Sequence, residues 1–199
     1  MTSTTIFGTG NMGTAIGALF TAGGTEVQHL TSKDDAATIT GDVVILAVPY
    51  GALSDIVARY GDQLGGKTVV DITNPLDFAT FDGLTVPAGS SAAAELAQSL
   101  PKSSVLKAFN TNFAATLASK SVGPVTTTVL IAGDDADAKA ALAALVTAGG
   151  ADAVDAGSLK RAHELEALGF LQLTLAAGEK ISWTGGFAVA RCPRRGVGR

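Results

Sequence analysis

Gly8, Gly10 and Gly13 set the first chemical expectation. They stand in a G-x-G-x-x-G pattern, directly after a short apolar run and directly before a helical one. In that setting the three glycines have separate tasks. Gly8 permits a tight turn, Gly10 leaves room for backbone to approach a pyrophosphate, and Gly13 lets a helix pack closely on a strand. The helix N-terminus then turns free N–H groups and a partial positive charge toward the phosphates. The expected phosphate set is Gly8, Thr9, Gly10, Asn11, Met12 and Gly13. Thr31, Ser32 and Lys33 follow the second expected strand, where an adenosine ribose would lie. Sites for a bare ribose usually carry an acidic residue there, whereas hydroxyls and a lysine suit a 2′-phosphate, which favours NADP(H) over NAD. Asp34 and Asp35 sit near that charge, or help start a short helical segment.

The reacting end of such a cofactor reaches the carboxyl ends of the middle strands. Three segments are expected to converge there: Val48–Pro49–Tyr50, Asn74–Pro75–Leu76 and Asn110–Thr111–Asn112–Phe113. None supplies a strong acid or base. His29 belongs to the second strand, near the adenosine side. His163, beside Glu164 and Glu166 on a late helix, is expected at the surface or in an interface. Lys107 is expected to point to solvent or to a charge partner, and Asp71 to be a site carboxylate or a strand-end residue. No metal-ligand spacing appears. An alcohol dehydrogenase needs a proton relay. Hydride exchange between two conjugated rings needs mainly stacking geometry and exclusion of water. The pattern favours the second chemistry, with Asn74, Asn110 and Thr111 holding carbonyl or amide edges.

The elements that must position these residues are legible from periodicity. Thr4–Phe7, Thr25–Leu30, Asp42–Val48, Thr68–Ile72, Val105–Phe109, Thr126–Ala132 and Ala151–Ala156 read as strands. Helices are expected from Asn11 to about Thr21, over Leu53–Tyr60, Ser91–Leu100, 136–147 and Arg161–Ala177, with Asp62–Lys67 a turn and 78–90 a loop. Near-continuous apolar strands alternating with helices predict an α/β, doubly wound, mainly parallel sheet. The last helix is apolar on more than one face, which predicts burial against a partner subunit, making a homodimer, or against the sheet. Trp183–Phe187 could line a flat ring or cover the core.

Composition narrows the classes further. The chain has 199 residues, 47% hydrophobic and 16% charged, which suits a well-buried globular protein. No run is long and apolar enough for a membrane span. The start, MTSTTIFG, has no basic region and enters a strand at once, so no signal peptide is expected. The single cysteine, Cys192, fits a reducing, cytoplasmic setting. Four of the fourteen basic residues lie in 191–199, which leaves ten against eighteen acidic residues in 1–190, a net of -8. That acidic body argues against nucleic acid as a partner.

Taken in order, IFGTGNMG at 6–13, Thr31–Ser32–Lys33, DVVILAVPY at 42–50, DITNPL at 71–76, KAFNTNFA at 107–114, VLIAGDD at 129–135 and DAGSLKRAHELEALGFLQLTLA at 155–176 resemble the F420-dependent NADP oxidoreductases. The resemblance runs from about residue 4 to 188. It implies a Rossmann-type core over 1–123 and a small C-terminal α/β extension over 124–190 that carries a dimer or acceptor-site helix; the arginine-rich tail over 191–199 matches nothing in the family and is expected to be a disordered, solvated end. The resemblance implies hydride transfer between NADP(H) and the deazaflavin coenzyme F420. It assigns Asn74, Pro75, Leu76, Asn110 and Thr111 to positioning the rings, and adds Val48 and Pro49 to the cofactor site. The family's phosphate segment has a hydroxyl residue and then two arginines; it maps to Thr31, Ser32 and Lys33, so only one of the two arginine positions is basic here. Archaeal members have histidine where this chain has Asn110, and keep threonine at Thr111; their proline after a serine matches Pro75 after Asn74. The alternatives are an NADPH reductase for a flavin, an imine or a metal chelate, or a non-enzymatic NADP(H)-binding interaction protein.

Overall fold

The computed structural model describes residues 3–34 and 37–190. Asp35, Cys192 and the 191–199 tail lie outside the described residues. The first half alternates β1 (Thr4–Phe7), α1 (Asn11–Ala22), β2 (Val27–Leu30), β3 (Val43–Leu46), α2 (Leu53–Leu64), β4 (Thr68–Asp71), α3 (Ala92–Ser99) and β5 (Ser104–Lys107). The second half adds α4 (Ala114–Ser119), the short hairpin β6 (Ser121–Val122) and β7 (Val125–Thr126), then β8 (Thr128–Gly133), α5 (Ala136–Ala148), β9 (Asp152–Gly157) and α6 (Ala162–Ala177). One seven-stranded sheet runs in the order β2-β1-β3-β4-β5-β8-β9. All pairings are parallel except β5 with β8. This is the mainly parallel, doubly wound sheet expected from the pattern, with a smaller α/β extension at its C-terminal end.

Side-chain alternation divides the core. Ile6, Val43, Ile45, Val70 and Leu106 pack under α1 and α5 with Ile16, Phe20, Leu142 and Val146. Their chain neighbours Phe7, Val44, Leu46, Val69 and Val105 pack on the other face with Leu53, Ile56, Tyr60 and Leu96. Successive strand residues point to opposite faces, so a strand apolar on both needs a layer on each side. The α2 helix continues through 62–64, where a turn was expected, because Leu53, Ile56, Tyr60 and Leu64 sustain one buried stripe at helical spacing. Ser91 is not helical but caps α3, its side chain accepting from Ala94 N. Asp135 caps α5 in the same way, accepting from the N–H groups of Asp137 and Ala138.

Neither α4 nor the hairpin was expected. The helix has six residues, and Lys120 ends it in the left-handed conformation at φ 59°. These pieces turn the chain back at the edge where β5 finishes. The next strand, β8, therefore enters antiparallel, pairing Leu106 with Gly133 and Lys107 with Ala132. An antiparallel neighbour needs no crossover helix. Among the described residues no helix is long and apolar enough to cross a membrane.

Candidate functional site

Strand order reverses between β1 and β3, and open α/β sheets bind ligands at that switch point, outside the carboxyl ends of the strands. The glycine turn leaves β1 there, and the three glycines prove unlike. Gly8 has φ +107°, and a Cβ on it would lie 2.2 Å from the Ala47 carbonyl oxygen. A Cβ on Gly13 would lie 2.3 Å from the Gly8 carbonyl oxygen. Both are demanded by backbone packing. Gly10 has an ordinary extended conformation, φ -70° and ψ -176°, at the cap of α1. A Cβ on Gly10 would meet nothing within 4 Å. The packing of the fold therefore does not require glycine at position 10.

Two cavities flank this turn. One, of about 440 Å³, is walled by Gly8, Thr9, Gly10, Thr31, Ser32, Val48, Pro49, Asp55, Arg59 and Tyr60, among others. The Asp34 carboxylate accepts from both the N–H and the hydroxyl of Thr31, each at 2.7 Å. Those hydrogen bonds, the side-chain one first, hold the Asp34 carboxyl below its ordinary value. Asp34 thus closes a turn onto Thr31; residues 35 and 36, which follow it, lie outside the described residues, and 37–41 are irregular. Lys33 is exposed and outside the cavity wall. His29 lies beside the turn, its Nδ1 3.4 Å from the Gly8 carbonyl oxygen.

The second cavity, of about 360 Å³, is lined by Asn11 and Met12 from α1, by Asn74, Asn110 and Asn112, and by Phe113 and Trp183. Asn74 Nδ2 donates to the Asn110 carbonyl at 2.9 Å, and Asn110 Nδ2 donates to Asn74 Oδ1 at 2.9 Å. Asn110 Nδ2 also donates to Leu165 O on α6, at 2.8 Å. Asn110 follows Phe109, which takes a left-handed φ of 62° in the middle of the core. Such a conformation in a bulky residue is strained and is held by its surroundings, here by complete burial and an edge contact with Phe20. Asn110 Oδ1 and Asn112 Oδ1 are buried and lack a hydrogen-bond partner among the described residues. Buried acceptors ordinarily find donors, and a carboxamide N–H would be a suitable one.

The three expected segments do not all meet. Asn74 and Asn110 come together, but Val48 and Pro49 belong to the first cavity. Tyr50 turns away, donating from its hydroxyl to Glu95 at 2.6 Å. That hydrogen bond, with burial adding to it, pushes the phenol up to about 12. Pro75, Leu76 and Thr111 line neither cavity but support the walls: the Pro75 carbonyl accepts from Thr85 N at 2.7 Å, Leu76 is buried, and the Thr111 carbonyl accepts from Gln172 at 3.1 Å.

Beneath the asparagine pair lies a group only partly anticipated. Lys107 points not to solvent but to charge partners. Its ammonium is 2.8 Å from Asp71 and 2.8 Å from Glu166, all three side chains fully buried. It also donates to the Thr73 carbonyl, one residue before Asn74. Glu166, for which no role was expected, caps α3 by accepting from Ala92 N at 3.0 Å. Burial pushes its carboxyl up, while Lys107 and the Ala92 N–H pull it down, leaving it above its ordinary value. His163 is part-buried, and its Nδ1 is 3.0 Å from the Ser90 carbonyl, which places the proton on Nδ1. Among the described residues no group of three His, Cys, Asp or Glu side chains is placed to hold a metal.

The α6 helix presses on this site with an unexpected face. Its buried positions are Ala162, Leu165, Glu166, Gly169, Gln172 and Ala176, small or polar in the main, while Leu171 is 50% exposed. A Cβ on Gly169 would lie 2.4 Å from Asn74 Oδ1 and 2.8 Å from the Asn110 carbonyl oxygen. Gly169→Ala is therefore expected to part the asparagine pair or lift α6, costing about 1–3 kcal/mol. Urea denaturation measures this, and a variant as stable as the wild type would show that α6 does not clamp the pair. Glu166 and Gly169 were legible in the sequence only as members of the last helix.

Residues 24–75 match the family described as NADP oxidoreductase, coenzyme F420-dependent. The F420-dependent NADP reductase of Methanocaldococcus jannaschii is 32% identical over 164 residues, which span 80% of this chain and 72% of that protein. A solved structure from Arthrobacter sp. FB24 superposes with a TM-score of 0.81 at 23% identity, covering 96% of this chain and 100% of that one, a likeness of fold. The hypothetical protein SMa0349 of Sinorhizobium meliloti superposes at 0.68 with 33% identity, over 80% of this chain and 86% of its own. Identity of 32% sustained over 72% of the Methanocaldococcus enzyme goes well beyond a shared glycine turn. The chain belongs to the F420-dependent NADP oxidoreductases, a family of oxidoreductases that bind NADP(H).

Proposed function

We propose that this protein transfers a hydride directly between the nicotinamide ring of NADP(H) and the deazaflavin ring of coenzyme F420. The observation that carries the reading is the lining of the second cavity. Among its described residues there are four asparagines, two phenylalanines, Trp183, Met12 and aliphatic side chains, and no ionisable group. Such walls can position and dry two flat rings but cannot relay a proton, which suits hydride transfer between conjugated carbon centres.

The residues present fit the cofactor. Gly10 admits the pyrophosphate, and the first-turn N–H groups of α1 bind it. Asn110 Oδ1 and Asn112 Oδ1 would accept from the nicotinamide carboxamide, whose ring supplies the hydride when bound. The Asn74–Asn110 pair holds these acceptors in register, and Leu165 O fixes the Asn110 amide. Phe113 and Trp183, with ring centres 5.0 Å apart, give an apolar wall for the acceptor ring and exclude water from it. The outward row Leu168, Leu171 and Leu175 on α6 is the surface for a homodimer, whose mass in solution light scattering would report.

The test is NADPH oxidation with oxidised F420, beside FMN and FAD controls. Stoichiometric bleaching of the deazaflavin, with the flavins unreduced, is the expected result. Tight NADPH binding with no F420 reduction would overturn the acceptor assignment.

A further inference from the structure

We infer that Asn110 and Asn112 make the second cavity selective for a pyridine ring bearing a carboxamide, and against the same ring bearing a carboxylate or a methyl ketone. This rests on the proposed nicotinamide site and goes beyond it, because it names the residues that decide which dinucleotide is accepted there. Three observations carry it. First, both residues wall the cavity, and both are more than nine-tenths buried, Asn110 at 5% and Asn112 at 8% exposure. Their Oδ1 atoms are buried without a hydrogen-bond partner among the described residues. An acceptor in that state is costly to the fold, and a bound N–H donor relieves the cost.

Second, the protein dictates which end of each amide is oxygen. Asn110 Nδ2 spends both its hydrogens, on Asn74 Oδ1 at 2.9 Å and on Leu165 O at 2.8 Å. Asn112 Nδ2 donates to Thr128 O at 3.0 Å. All three partners are oxygens that only accept, so turning either amide over would set oxygen against oxygen. Leu165 lies on α6 and Thr128 opens β8. The two acceptors are therefore set by packed elements before any ligand arrives.

Third, the wall has nothing to neutralise an anion, since no ionisable side chain stands among its described residues. A carboxylate beside the two oxygens would bring lone pairs against lone pairs and a charge without a partner. A methyl ketone has nearly the shape of a carboxamide but no N–H, so both oxygens would stay unpaired. A primary carboxamide offers two N–H hydrogens, which matches the two acceptors in number.

The test is calorimetric titration of three oxidised dinucleotides into the full chain: NADP, its 3-acetylpyridine analogue and its nicotinic acid analogue. They share the pyrophosphate and the 2′-phosphate and differ only in the side group of the ring. The wild type is expected to bind the acetyl analogue about ten- to a hundredfold more weakly than NADP. The nicotinic acid analogue should be weaker by at least about a hundredfold. Asn112→Ala should weaken NADP while leaving the acetyl analogue within about threefold of its wild-type affinity, so that the gap between them narrows. A merely structural role would weaken all three alike and leave their ratios unmoved. Equal binding of the three by the wild type would overturn the selectivity, and that result needs no variant should Asn112→Ala fail to fold. Unmoved ratios in a folded Asn112→Ala protein would overturn the part given to Asn112. A wild type that binds none of the three would overturn the nucleotide site itself, a different outcome from equal binding.

Discussion

Valine at position 10 is expected to remove NADPH binding while leaving the protein folded. The backbone at Gly10 is extended, a conformation that β-branched residues adopt readily. A Cβ there meets no protein atom within 4 Å. The added methyl groups instead enter the space beside the first turn of α1, where the proposed site would place the pyrophosphate. Blocking that approach is expected to raise the dissociation constant by at least about a hundredfold, or ~2.7 kcal/mol. Calorimetry with NADPH, together with the thermal unfolding curve, measures both halves of the claim. Unchanged affinity in a folded Gly10→Val protein would sink the phosphate site. The contrast with Gly8 and Gly13 is what makes the experiment clean. Each of those would drive a Cβ into a carbonyl oxygen, so their variants confound folding with binding.

Methionine at position 107 is expected to cost about 3–5 kcal/mol of stability, because it strands two buried carboxylates that now share one cation. The loss should depend on pH with a definite sign. Burial already holds Glu166 above its ordinary value of 4.5, and Lys107 is the main influence pulling it down. Without Lys107 the folded-state value rises further. A carboxyl whose folded value exceeds its unfolded one holds more protons in the folded state between the two. Stability therefore falls as pH rises through that window, from the unfolded value upward. Urea denaturation at about pH 5.5 and about pH 8 should show the larger deficit against wild type at the higher pH. A deficit below about 1 kcal/mol, or one that grows on acidification, would contradict the arrangement. The same substitution frees the Thr73 carbonyl, and with it the turn that presents Asn74.

Much of the framework was legible from local pattern. The strand–glycine–helix order located the switch-point turn, since turn sterics and helix-terminus electrostatics act within a few residues. Runs apolar at every position, such as Val43–Leu46, announced a sheet covered on both faces. Ser91 marked a helix start that falls one residue later than expected, because a capping side chain lies outside the helix it caps. The family was readable too, from the order of segments rather than from any one of them.

What the sequence by itself determined about this protein, then, is its α/β class, the place of the glycine turn, the family and the absence of an obvious proton relay among the residues expected at the site. Tertiary structure decided which residues meet. Helical period showed that 161–177 was a helix but not which face it buries, for leucines lie all round it. The sheet takes the small and polar face because Gly169 allows close approach and Glu166 finds Lys107 there. Likewise nothing near Arg59 in the chain links it to Thr31; they share a cavity because α2 packs beside the end of β2. Periodicity and turn chemistry depend on neighbours along the chain, whereas ion pairs, cavity walls and steric contacts depend on distances in space that the packed layers set.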